Sequence, residues 1–132
     1  MILIADDDPE DIELMEMAFA DVDPSAVLIK RNTGKEALDY LLNHADNQLP
    51  CLIILDFNMP ELKGSEVLSI ISKEERYDHI PKIVLSTSNA PIHQHECMTN
   101  GATEYFVKPA SLKEINKLAR KMLAYCKDYE GK

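Results

Sequence analysis

The sequence predicts a doubly wound α/β fold, in which five parallel strands form one sheet with helices on both faces. Three observations predict it. Short β-rich apolar runs alternate with segments of helical period five times along the 132 residues, the pattern of successive β/α units. The first and third runs, residues 2–5 and 52–55, carry no polar residue until their ends, as strands buried on both faces of a parallel sheet do. A run this short fits a buried helix segment by periodicity alone, and the surrounding alternation favours a strand. The second run, residues 27–31, ends in Lys30 and Arg31, which marks an edge strand. With right-handed crossovers, these features suit the strand order 2-1-3-4-5.

The elements follow in order. After the first strand, Asp8 has the character of an N-cap, with Pro9 at the first helical position, acidic Glu10 and Asp11 behind it, and Ile12, Met15 and Phe19 on one face. Thr33 with Glu36, and Ser111 with Glu114, have capping-box spacing. They open the second helix (Leu38, Leu41, Leu42 inward) and the fifth (Ile115, Leu118, Met122 inward). The third helix opens after Gly64, with Val67, Leu68 and Ile71 inward. A fourth begins near Pro91, with only Ile92 and Met98 as apolar anchors. The fourth and fifth strands span residues 83–86 and 105–107.

Composition narrows the function classes. The length suits one domain, able to bury a core without metal or disulfide staples. Fourteen Lys and Arg against 23 Asp and Glu give a net charge of −9, which repels nucleic-acid backbones and anionic membrane surfaces. The start, MILIADDDPE, is neither a secretory apolar region nor a membrane span, so a cytoplasmic location is expected. Cys51, Cys97 and Cys126 are far apart with no Cys-x-x-Cys pair, and read as reduced thiols. His93 and His95 are two apart and share no helix face, so they read as solvated surface. Met15, Met17 and Phe19 read as core packing. Four histidines without a suitably spaced serine or cysteine give no hydrolase triad.

The ends of the strands carry the chemistry. In the order 2-1-3-4-5 the first and third strands are neighbours, roughly 4.8 Å apart, so Asp6 and Asp7 face Asp56. Two carboxylates about 4 Å apart repel by roughly 4 kcal/mol at an effective dielectric near 20, a cost that a small divalent cation removes. Oxygen ligands without thiol or imidazole favour Mg²⁺ or Mn²⁺ over zinc. Taken alone, Asp6 and Asp7 fit acidic decoration of a helix N-terminus equally well. Thr87 alone reads as an N-cap and Lys108 alone as a solvated loop lysine. Their placement with the three acids at one sheet edge favours a site.

These residues carry a family resemblance. ILIADDDP, IILDFNMPELKG, IVLSTS and EYFVKP stand in order and at the usual spacing, and the chain resembles the receiver domain of two-component response regulators over residues 1 to about 126. The resemblance implies a flavodoxin-like (βα)5 fold and a single receiver domain over 1–132 with a short C-terminal tail. It implies a phosphoryl group accepted on Asp56 from a sensor histidine kinase or phosphotransfer protein, with Mg²⁺, or Mn²⁺ in its place. Asp6, Asp7, Asp56 and the backbone carbonyl of Asn58 are then the metal ligands. Thr87 and Lys108 stabilise the phosphoryl group, Tyr105 changes rotamer on activation, Pro109 is a cis-proline, and Asn58 and Asn89 tune dephosphorylation. Signalling is expected by contact with a downstream protein through the face of helix four, strand five and helix five, as a monomer or as a homodimer through that face. DDPED and LDYLL most resemble the stand-alone regulators that partner phytochrome-type kinases. The rival is a receiver-fold adaptor that works without phosphorylation. An aspartyl-phosphate phosphatase commonly has an acid where Asn58 stands, and a flavin site a Ser/Thr/Gly-rich loop where DDDP stands; both are disfavoured.

Overall fold

A computed structural model describes residues 1–130, with side chains to Cys126; part of the expected C-terminal tail therefore lies outside the described residues. The elements alternate: β1 (Ile2–Ala5), α1 (Pro9–Val22), β2 (Leu28–Arg31), α2 (Gly34–Leu42), β3 (Leu52–Leu55), α3 (Gly64–Ile71), β4 (Lys82–Ser86), α4 (Pro91–Thr99), β5 (Glu104–Val107) and α5 (Leu112–Glu130). Short 3-10 turns at Asp46–Gln48 and Glu75–Tyr77 precede β3 and β4. All strand pairs are parallel and the order is β2-β1-β3-β4-β5, as the sequence predicts.

Two cores follow from the two-residue period of a strand. Leu3, Ala5, Ile53, Leu55 and Val84 face one side, against α2, α3 and α4. Ile2, Ile4, Leu52, Ile54, Ile83 and Leu85 face the other, against α1 and α5. Burying both faces explains why β1 and β3 are apolar throughout. The caps form as expected: the Asp8 side chain accepts from the Glu10 N–H at 2.9 Å and the Thr33 hydroxyl from the Glu36 N–H at 3.0 Å.

Some expectations shift. β4 begins at Lys82, whose buried ammonium donates to the carbonyls of Tyr77 at 2.6 Å and Ile80 at 3.0 Å; these bonds let a cation start a core strand, and burial lowers its pKa. In α4 the buried residue is Cys97, whereas Ile92 (72% exposed) and Met98 (43%) face outward. Met17 (60%) and Leu42 (44%) are also exposed, so neither packs into the core as the sequence pattern suggests; Met17 projects from α1 on the side away from Ile12, Met15 and Phe19. Cys51 and Cys126 are not isolated thiols. The topology brings them together, with Cα atoms 5.0 Å apart and sulfurs in contact as a disulfide, while Cys97 is free. Among the described residues no peptide bond is cis, so the bond before Pro109 is trans, the isomer that X-Pro bonds also prefer by about 0.5–1 kcal/mol.

Candidate functional site

The sheet register builds the site. Ala5 pairs with Leu55, and the Asp56 N–H donates to the Ala5 carbonyl at 2.9 Å, so Asp6 and Asp56 leave neighbouring strands at the same level. Both are buried, at 4% and 7% exposure, and Asp7 beside them is exposed. Carboxylate oxygens of Asp6, Asp7 and Asp56 lie within 4.8 Å of one another. The loop after Asp56 is fixed by Gly64, whose N–H donates to the Phe57 carbonyl at 2.9 Å. A Cβ on Gly64 would collide with the Asp56 backbone carbonyl. Within this loop Glu61 has φ +71°, and the Leu62 N–H donates to the Pro60 carbonyl at 2.9 Å. That three-residue turn is strained for an L side chain.

Lys108 arrives from β5, its backbone N–H bonded to the Ser86 carbonyl at 2.7 Å. Its ammonium stands 2.8 Å from Asp6 Oδ2, 2.7 Å from Asp11 Oδ2 and 3.6 Å from Asp56 Oδ2. Burial works against the Lys108 charge, but the hydrogen bonds to Asp11 and Asp6 and the charge of Asp56 outweigh it and raise its pKa. Burial also raises Asp6, opposed by Lys108. Asp56 is pushed up to about 7 by burial first and then by the adjacent Asp6 charge. One ammonium does not neutralise this concentration of carboxylates. An all-oxygen donor set with excess negative charge fits a hard divalent cation.

The other expected residues line the same edge. Thr87 is exposed just beyond β4, and Asn58 and Asn89 are exposed in the flanking loops. Tyr105 is half-buried, and its hydroxyl donates to the Ser88 carbonyl at 2.7 Å. Two features escape the sequence reading. Asp11 joins the Lys108 cluster from α1, although its position suggests only a helix-terminal acid. His93 is not solvated surface: its ring stacks on Phe57 with centroids 4.6 Å apart, and Nδ1 lies 2.7 Å from Ser88 Oγ. His95 is exposed, as expected.

Comparison with known proteins agrees with this architecture. Residues 2–120 match the family model described as "Response regulator receiver domain". The probable methanogenesis regulatory protein FilR2 of Methanothrix harundinacea is 31% identical over 127 residues, covering 95% of this chain and 82% of FilR2. Other curated relatives are longer: the chain spans 53% of one rice two-component response regulator and 6% of a histidine kinase. Among solved structures, the phosphorylated cyanobacterial phytochrome response regulator RcpA superposes with a TM-score of 0.83 at 28% identity, covering 94% of this chain and 91% of RcpA. The Mn²⁺-bound response regulator Rcp1 gives 0.77 at 26% identity, covering 93% and 91%. The acids and lysine gathered at one sheet edge, the strand order and the match over nearly the whole chain lead to one conclusion: this chain belongs to the response regulator receiver domain family.

Proposed function

We propose that this chain acts as a response regulator receiver domain that accepts a phosphoryl group on Asp56 from a histidine kinase or phosphotransfer protein. The observation that carries the reading is the buried Asp56 carboxylate, with acidic oxygens of Asp6 and Asp7 within 4.8 Å and the Lys108 ammonium 3.6 Å away. Asp6, Asp7, Asp56 and the Asn58 carbonyl would hold Mg²⁺, or Mn²⁺, which when bound neutralises phosphoryl oxygens. An Asp56 oxygen attacks phosphorus in line; the new O–P bond forms as the bond from phosphorus to the donor's histidine nitrogen breaks, and the released imidazole nitrogen takes a proton from water. Lys108 offers its charge to the phosphoryl oxygens and Thr87 its hydroxyl. Asn58 and Asn89, both exposed, tune attack by water in this reading.

The same reading assigns the output. The phosphoryl group adds roughly −2 charge and three acceptor oxygens, drawing Thr87 and Lys108 toward Asp56. Movement of Thr87 shifts the Ser88 carbonyl and with it the Tyr105 hydroxyl. Exposed Ile92 on α4, Val107 on β5 and Leu112 on α5 give that face apolar surface for a downstream protein or a second copy. No helix among the described residues is long and apolar enough to cross a membrane; a cytoplasmic site of action is part of the proposal. So is a phytochrome-type kinase as the upstream partner, a choice supported by the likeness to RcpA.

The test is intact-mass analysis after incubation with phosphoramidate and Mg²⁺. A phosphoryl adduct is expected on the wild type, absent from Asp56→Asn and prevented by EDTA. An unmodified wild type would instead favour a phosphorylation-independent adaptor.

A further inference from the structure

Lys108 is held by more than the strand-end acids. An ammonium has three N–H donors. Two are engaged at hydrogen-bond distance, by Asp11 Oδ2 at 2.7 Å and Asp6 Oδ2 at 2.8 Å. The third acceptor nearby, Asp56 Oδ2, is at 3.6 Å, beyond a hydrogen bond. Asp11 sits in the first turn of α1, 97 residues from Lys108 in the chain. Its place in that turn accounts for a favourable interaction with the helix dipole, as it does for Glu10, but not for a close contact across the molecule.

We propose that Asp11 is a positioning residue for phosphoryl transfer, pinning the Lys108 ammonium so that its remaining N–H is directed at the Asp56 carboxylate. This rests on the reading of Asp56 as the phosphoacceptor. A lysine stem is flexible and its ammonium a point charge without a preferred direction, so one anchor leaves it free to swing. Two anchors from different elements fix the nitrogen and, through its tetrahedral geometry, the third N–H. Asp6 is also one of the three converging acids, and a cation held there draws on its charge. Asp11 lies outside that triad and remains the anchor that the cation does not share.

The experiment compares wild type, Asp11→Asn and Asp11→Glu in the rate of phosphorylation by phosphoramidate, each at saturating Mg²⁺ after its own Mg²⁺ titration. Asp11→Asn is expected to lower the rate constant on the order of tenfold, in keeping with the cost of misaligned reacting groups, while Asp11→Glu recovers part of the loss. A double-mutant cycle separates positioning from general structure: on a Lys108→Ala background, Asp11→Asn should cause no further slowing. The Lys108 ammonium gives a second readout in the resting protein, a slowly exchanging ¹⁵N signal in wild type that Asp11→Asn loses. A rate for Asp11→Asn equal to wild type, or a loss that saturating Mg²⁺ restores, overturns the proposal. So does a faster rate, which would make Asp11 a competitor for the ammonium. Equal slowing on the Lys108→Ala background overturns it too. A wild type that takes no phosphoryl group removes the parent reading and the positioning role together, whereas a modified wild type beside an unaffected Asp11→Asn removes only the latter.

Discussion

Burial and the neighbouring Asp6 carboxylate push Asp56 up to about 7, well above the 3.8 of an unperturbed side chain. The folded chain therefore binds a proton at Asp56 more tightly than the unfolded chain does. By linkage, the associated stability is complete below about pH 4 and is lost as pH rises through about 7. Without metal, the ionised Asp56 is destabilising at pH 8. Asp56→Asn removes that charge while keeping the shape, so in EDTA at pH 8 its melting temperature should exceed wild type by on the order of 5 °C. The gap should narrow as pH falls toward 4. Calorimetry across that range checks it, and a wild type as stable as the variant at pH 8 would contradict the charge crowding. At this scale the sequence shows Asp6, Asp7, Asp56 and Lys108, because each ends an apolar run and the strand pattern marks where runs end. Asp11 was hidden because helix patterning describes only its own turn, not a partner 97 residues away. Gly64 reads as a helix start, and only the folded loop shows that a side chain there would strike the Asp56 backbone.

Among the elements, α4 shows how far pattern reading reaches. Its poverty in apolar residues was visible, and a single residue, Cys97, is buried along its length. Its remaining attachment was not visible. The i, i+2 spacing of His93 and His95 rules out a shared helix face, yet says nothing about contacts to loops. His93 uses such contacts, stacking on Phe57 beside Asp56 and meeting Ser88 beside Thr87. It thus joins both site loops to the first turn of α4. Removing the ring in His93→Ala should cost about 1 kcal/mol, the scale of one aromatic contact, and should loosen α4 ahead of the rest of the fold. Hydrogen exchange should quicken across Pro91–Thr99 while α5 keeps its protection, and His93→Phe, which retains the stack, should fall between. Unchanged exchange in α4 for His93→Ala would show that the ring does not anchor the helix.

Across the whole molecule, the strand order was legible because hydrophobic runs and edge charges report which strands are central. Pairing of the cysteines was not, since Cys51 and Cys126 are separated by 75 residues and no short motif links them. Both belong to the core layer shared by α1 and α5, and α5 reaches back along the sheet to the start of β3. The pair therefore lies at the end of the sheet opposite Asp56, joining the last helix to the central strand. A Cα separation of 5.0 Å falls within the span of disulfides, and closing so long a loop restricts the unfolded chain by roughly 4 kcal/mol on the chain-entropy model. After mild oxidation and denaturation, alkylation should label one cysteine, Cys97, and after reduction all three. The oxidised protein should melt on the order of 10 °C above both the reduced form and Cys51→Ser, the scale that such a restriction implies. Because the bond lies at the other end of the sheet from Asp56, the proposed phosphoacceptor, phosphoramidate should modify oxidised and reduced protein at the same rate. Labelling of three cysteines after oxidation would mean that the two sulfurs pack without bonding.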